Sequence, residues 1–258
     1  MRTESEPRRV PEHHLAMLDR LASGIEPDDP ALHDWFRGYC REHRWRLAHD
    51  LRLVQRFADD GARLLEYGAV PPLLTAALCE LGYEVRALDL RPGRFAAAIT
   101  DLGLDVAECD VETEVVPYAG ATFDVVLFNE IFEHLRIDPI FTLREVGRVL
   151  KDGGRLLLST PNLRSFRGLR NLLVHHHGHA VSGGVYRQYE KLETLGHMGH
   201  VREYTTREVA EFLEQIGFEV DSVVYRGGHG RGLVGAAEWL WPSMRPFISL
   251  VATKGGRA

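Results

Sequence analysis

Residues 123–161, FDVVLFNEIFEHLRIDPIFTLREVGRVLKDGGRLLLSTP, constrain the fold more than any other stretch of the chain. An apolar strand, Phe123–Phe128, ends on the polar pair Asn129–Glu130. A helical pattern follows, with Leu143, Val146, Val149 and Leu150 on one face. The turn Lys151-Asp152-Gly153-Gly154 then launches a second apolar strand, Arg155–Ser159. A strand, a helix and a strand in succession imply a crossover between parallel strands. Ligands of open parallel sheets sit at the carboxyl ends of the strands. Asn129, Glu130, Glu133 and His134 therefore stand at the lip of a binding crevice.

The same alternation runs through the preceding residues. Strand Arg63–Tyr67 leads to helix Pro72–Leu81 and strand Glu84–Leu88; helix Arg94–Leu102 leads to a short strand, Asp105–Cys109. Gly82, Gly103 and Gly153 each lie just past a helical pattern, where a left-handed cap is wanted. Helix Thr206–Ile216 and strand Phe218–Tyr225 resume the pattern, and Phe247–Thr253 reads as the last strand. Ahead of the alternation, residues 1–12 are polar and expected to be frayed. Helical patterns at His13–Ser23 and Asp29–Ala58 follow, the second rich in aromatics that suit a cap on the sheet.

A net charge of −6 offers no footprint for general nucleic-acid binding, although a local basic patch remains open. Three scattered cysteines without a C-x-x-C pair suit a reducing compartment. The N-terminus lacks the apolar core of a signal peptide, and no apolar run reaches membrane-spanning length. A cytoplasmic location without a transmembrane segment is expected.

Five motifs in order resemble the class I S-adenosylmethionine-dependent methyltransferases over residues 61–254. They are Leu64-Leu65-Glu66-Tyr67-Gly68, Ala87-Leu88-Asp89-Leu90, Cys109-Asp110-Val111, FDVVLFNEIFEHL and RVLKDGGRLLLSTPN. The resemblance implies a Rossmann-like, doubly wound α/β sheet of seven strands. It would occupy residues 61–258, with a helical cap over residues 1–60 and a lid insertion at about 161–203. It also implies S-adenosyl-L-methionine as cofactor, held by Glu66, Gly68, Asp89, Leu90, Asp110, Val111 and Asn129. In the family the acid matching Asp89 accepts from the ribose hydroxyls, and the one matching Asp110 meets the adenine amino group. One departure stands out. The family's E/D-x-G-x-G-x-G turn is here Glu66-Tyr67-Gly68-Ala69-Val70-Pro71-Pro72, with only the first glycine kept.

Glu130, Glu133 and His134 are spaced i, i+3, i+4, so a helix beginning at Asn129 would set them on one face. Two carboxylates and an imidazole suit a divalent cation, with Mg²⁺ or another such ion as the first expectation. The E-x-x-E-H pattern resembles the ubiquinone-biosynthesis O-methyltransferases and the small-RNA 2′-O-methyltransferases. By the latter resemblance His200, ahead of Tyr204-Thr205, completes the ligand set. Without metal, His134 or His200 is the general-base candidate, because imidazole titrates near neutrality. The alternative is Glu130 lining the cofactor pocket with His134 merely packed.

Residues 163–200 hold six histidines and the basic, amphipathic stretch LRSFRGLRNLLVHHH. That stretch could guide an anionic acceptor, lie on a membrane surface, or be a lid helix with an exposed arginine face. The expected activity is methyl transfer to a hydroxyl of a small molecule or sugar. Two rivals stay open: methylation at an RNA terminus, and a binding or scaffold protein without catalysis.

Overall fold

In the computed structural model, residues 1–6, 10–194, 199–227 and 232–255 are described. His197, one of the six histidines of the insertion, lies outside them. Eight strands form one mixed sheet with flanking helices. They are β1 (Arg2–Ser5), β2 (Arg63–Tyr67), β3 (Glu84–Asp89), β4 (Asp105–Glu108), β5 (Phe123–Asn129), β6 (Leu150–Pro161), β7 (Phe218–Arg226) and β8 (Phe247–Lys254). The helices are α1 (Glu12–Gly24), α2 (His33–Phe57), α3 (Leu73–Glu80), α4 (Ala96–Asp101), α5 (Pro139–Val149), α6 (Phe166–Val174), α7 (Val185–Thr194), α8 (Thr206–Gln215) and α9 (Gly232–Leu240).

The chain divides into two compact units, with β5 and β6 contributing to both. In the unit holding residues 9–127 and 148–155 the strand order is β5-β2-β3-β4, all parallel. Leu64 pairs with Val85 and with Val125, so strand ends Tyr67 and Asp89 fall at one edge of the sheet. Helix α3 buries Leu74, Ala77 and Leu78 there, and α1 and α2 pack against it. Burying each such leucine contributes about 1.5–3 kcal/mol.

In the other unit, β7 runs antiparallel to β8 and parallel to β1. Helix α8 supplies Val209 and Leu213 to its core. A reciprocal capping box starts that helix: Thr205 accepts from the Glu208 N–H while Glu208 accepts from the Thr205 N–H. Arg245 is buried and donates to the carbonyls of Glu6, Tyr225 and Glu238, tying the amino terminus to the end of β7.

Four expectations change. The sheet has eight strands rather than seven, because Arg2–Ser5 pairs with Ser222–Tyr225 instead of fraying. Backbone pairing at a sheet edge asks for no apolar side chains, so a polar Arg-Thr-Glu-Ser run suffices. Strand β6 begins at Leu150, and the expected turn at Lys151–Gly154 lies within it. Helix α2 begins at His33, since Pro30–Leu32 winds as a separate 3₁₀ turn. Helix α9 had no counterpart in the sequence reading. Among the described residues no helix is long and apolar enough to cross a membrane, and Cys40, Cys79 and Cys109 are free thiols.

Gly153 adopts φ +73°, and a Cβ on the following Gly154 would lie 2.8 Å from the Lys151 carbonyl oxygen and 3.2 Å from that of Asp124. Backbone atoms on both sides cannot yield cheaply. Gly154→Ala is therefore expected to destabilise the fold by about 1–3 kcal/mol, read as a lower midpoint in urea denaturation.

Candidate functional site

Two groups of polar residues stand at strand ends, one in each unit. In the first, β2 ends in Glu66-Tyr67-Gly68. Gly68 takes φ +73°, and its N–H, like that of Ala69, donates to the Leu88 carbonyl (2.8 and 3.1 Å). A non-glycine residue would be strained in that conformation. Asp89, at the end of β3, uses both carboxylate oxygens: Oδ2 accepts from the Val70 N–H at 2.9 Å and Oδ1 from the Arg91 N–H at 2.8 Å. Asp110 follows β4 and caps its own turn through Glu112 N–H (3.1 Å). Leu90 is exposed and Val111 half-buried.

Glu66 is buried, and its Oε2 accepts from Thr75 Oγ1 at 2.6 Å. Burial pushes its carboxyl up to about 8; the Thr75 bond opposes that rise, while the charges of Asp50 and Asp89 add to it. The group is therefore largely protonated at neutral pH.

The second group follows β5. Asn129 is half-buried, and its amide nitrogen is buried without a hydrogen bond among the described residues. A buried donor in that state fits a ligand acceptor. Glu130 stands at φ +55°, a left-handed conformation uncommon for a residue with a side chain. This breaks the expected helix at Asn129; only a 3₁₀ turn forms, over Phe132–His134. The i, i+3, i+4 phase is lost, and Glu130 is not brought to Glu133 and His134. Its Oε1 instead accepts from Ser159 Oγ (2.9 Å) and pairs with the buried Arg226 (3.4 Å).

Glu133, His134 and His200 do converge, with one ligand atom from each lying within 4.8 Å of the others. Glu133 is fully buried and accepts from Thr160 Oγ1 at 2.9 Å. Its Oε1 lies 3.9 Å from His200 Nε2, and the two imidazoles meet edge to face at 4.9 Å. The Glu133 carbonyl accepts from the N–H groups of Val201 and Arg202 (2.8 and 3.3 Å), which brings the distant His200 segment alongside. Phe132 packs on Tyr204 and Phe212 beneath it.

Sequence reasoning missed Glu203. Its Oε1 sits 2.9 Å from His200 Nδ1 and 3.2 Å from the Ser182 N–H; Oε2 accepts from the N–H groups of Ala180 and Val181. Burial alone would raise its pKa. The His200 bond and the backbone donors outweigh that and hold it below the usual range. A carboxylate on Nδ1 orients the ring and leaves the Nε2 lone pair toward Glu133, as outer partners of metal-binding histidines do. The i, i+3 spacing of His200 and Glu203 was the available signal.

Residues 39–223 match a family model described as a methyltransferase domain. The chain is 36% identical over 115 residues to the ubiquinone biosynthesis O-methyltransferase of Xanthomonas campestris, covering 43% of this chain and 47% of that one. Against the enzyme of the same name from Ruegeria pomeroyi it is 36% identical over 116 residues, covering 44% and 46%. The chain thus spans about half the length of these relatives. A methyltransferase structure from Aquifex aeolicus superposes with TM-score 0.56 at 18% identity, covering 93% of this chain and 98% of that one. The cyclase SpnF superposes with TM-score 0.57 at 17% identity, covering 99% of each. At such identities the likeness speaks for fold alone.

The raised Glu66 pKa predicts a pH signature. Its neutral form is favoured in the fold, so the associated stability is complete below about 4.5 and lost as pH rises through about 8. Relative to Glu66→Gln, the wild-type protein should lose stability over that window, by ~2–5 kcal/mol in total. Parallel denaturation curves for both proteins across the window would refute the assignment.

Proposed function

Because the chain belongs to the methyltransferase-domain family, we propose that it transfers the methyl group of S-adenosylmethionine to a hydroxyl oxygen of a small-molecule or sugar acceptor. The observation that carries the oxygen-acceptor reading is the convergence of Glu133, His134 and His200. One carboxylate and two imidazoles would form the inner donor set of a divalent cation. That mixture suits a borderline ion such as Mn²⁺ as well as Mg²⁺. The ubiquinone-biosynthesis relatives, O-methyltransferases by name, point the same way.

The first group fits the cofactor. Gly68 turns the chain sharply, Asp89 would present a carboxylate fixed by two backbone N–H groups to the ribose hydroxyls, and Asp110 and Val111 would meet the adenine. The sulfonium already makes the methyl electrophilic, so these residues chiefly orient it, because in-line transfer demands nucleophile, carbon and sulfur in one line. A cation held by Glu133, His134 and His200 would lower the pKa of an acceptor hydroxyl. Where no cation is held, either imidazole can take the hydroxyl proton, His200 through the Nε2 that its bond to Glu203 leaves available and His134 edge-on to it. Three free thiols suit a reducing, cytoplasmic setting.

A second reading, a binding protein that does not methylate, is favoured by the reduced glycine turn. Calorimetry with S-adenosylhomocysteine separates the two. Binding is expected, with Asp89→Ala weakening it at least ~10-fold; no heat at millimolar ligand would remove the enzyme reading. For the metal, Glu133→Ala with His134→Ala should abolish both bound cation, measured by atomic emission, and methyl transfer. Glu203→Gln should weaken cation affinity by about 10–100-fold with S-adenosylhomocysteine affinity unchanged. A double variant that keeps its metal and its activity would rule out a cation at this site.

A further inference from the structure

Residues 162–189 contain four arginines (Arg164, Arg167, Arg170 and Arg187) and no Asp or Glu, in a chain with 37 acidic residues. All four arginines are exposed and make no ion pair with one another or with any other described residue. On the same segment, apolar side chains that would ordinarily be buried face solvent. Helix α6 turns Gly168 and Asn171 inward, while Leu173 and Val174 are 72% and 62% exposed. Phe166 meets Trp241 at 6.5 Å between ring centroids. That contact sets the start of α6 beside the end of α9, where Trp239 and Trp241 are 61% and 58% exposed.

The segment is not a loose flap. Asn171 donates to the His179 carbonyl at 2.8 Å, and Glu203 receives the N–H groups of residues 180–182. The apolar and cationic groups are thus presented together by an anchored scaffold. Aliphatic side chains and indoles beside arginines, without carboxylates, match the interfacial layer of a bilayer, where rings sit at headgroup depth and guanidinium groups meet phosphates. A second copy of the chain is a poor occupant, since face-to-face contact would bring the arginines of both copies together. We propose that α6 and the α9 end form a docking face for a membrane surface rich in anionic phospholipid.

Vesicle flotation of the full chain tests this. Vesicles of equimolar phosphatidylglycerol and phosphatidylcholine should carry the protein, with binding falling as salt rises; phosphatidylcholine vesicles should not. The charge pair Arg167→Glu with Arg170→Glu, and separately the apolar pair Leu173→Asp with Trp239→Ser, should each reduce binding by about tenfold or more. Circular dichroism and melting temperature are checked for both. Absent binding, equal binding to both vesicle types, or folded variants that float like the wild type would overturn the proposal. So would a wild-type oligomer that these substitutions dissociate, because the face would then belong to a protein partner.

Discussion

Parallel pairing between β2 and its two neighbours is the constraint on which the rest depends. With Leu64 set against Val85 and Val125, the apolar residues of three strands lie in common layers. The first polar residues beyond them, Glu66-Tyr67-Gly68 and Asp89, must then emerge at the carboxyl ends. Chemistry is placed there by register rather than by individual contacts. A slip of one residue would invert the facing of every side chain on a strand. It would bury the wrong set and carry Asp89 away from the Val70 N–H that holds it.

Burying carboxylates is costly unless their oxygens are satisfied. The second unit nevertheless buries Glu133 and Glu203, and half-buries His200 between them. Thr160 supports the first carboxylate; the N–H groups of residues 180–182 support the second. Such a chain of backbone donors, carboxylate, imidazole and carboxylate does more than fill space, since apolar residues of similar volume would fill it at lower cost. It fixes the tautomer and orientation of one ring, which matters for a group that binds a cation or moves a proton.

What was legible in the sequence follows from which physical signal each element carries. Strand β2 was read with its ends correct, because an apolar run broken by glycine leaves little choice. Strand β1 escaped because an edge strand can pair through its backbone while its side chains stay polar. The Glu130 misplacement has a different origin: spacing rules presume a regular helix, and φ +55° at Glu130 removes that premise. Glu133 and His134 survived the error because the 3₁₀ turn still carries both toward His200. The aligning of His200 with Glu133, across 66 intervening residues, rests on backbone bonds from Val201 and Arg202 that no local pattern announces.

The glycine-poor turn after β2 becomes intelligible once conformation is separated from sequence pattern. A glycine is indispensable where φ is positive or where another atom approaches too closely for a Cβ. Of residues 68–72 only Gly68 takes positive φ. Ala69 is buried with its N–H on the Leu88 carbonyl, and Val70 donates to Asp89; neither backbone conformation demands glycine. Pro72 stands just ahead of α3, where a missing N–H leaves no helical bond unmade. The conformational requirement thus contracts onto one residue, and that residue is retained. The substituted positions carry side chains where the family pattern has glycine, so the departure bears on how closely a ligand can approach the backbone and not on whether the strand end can form.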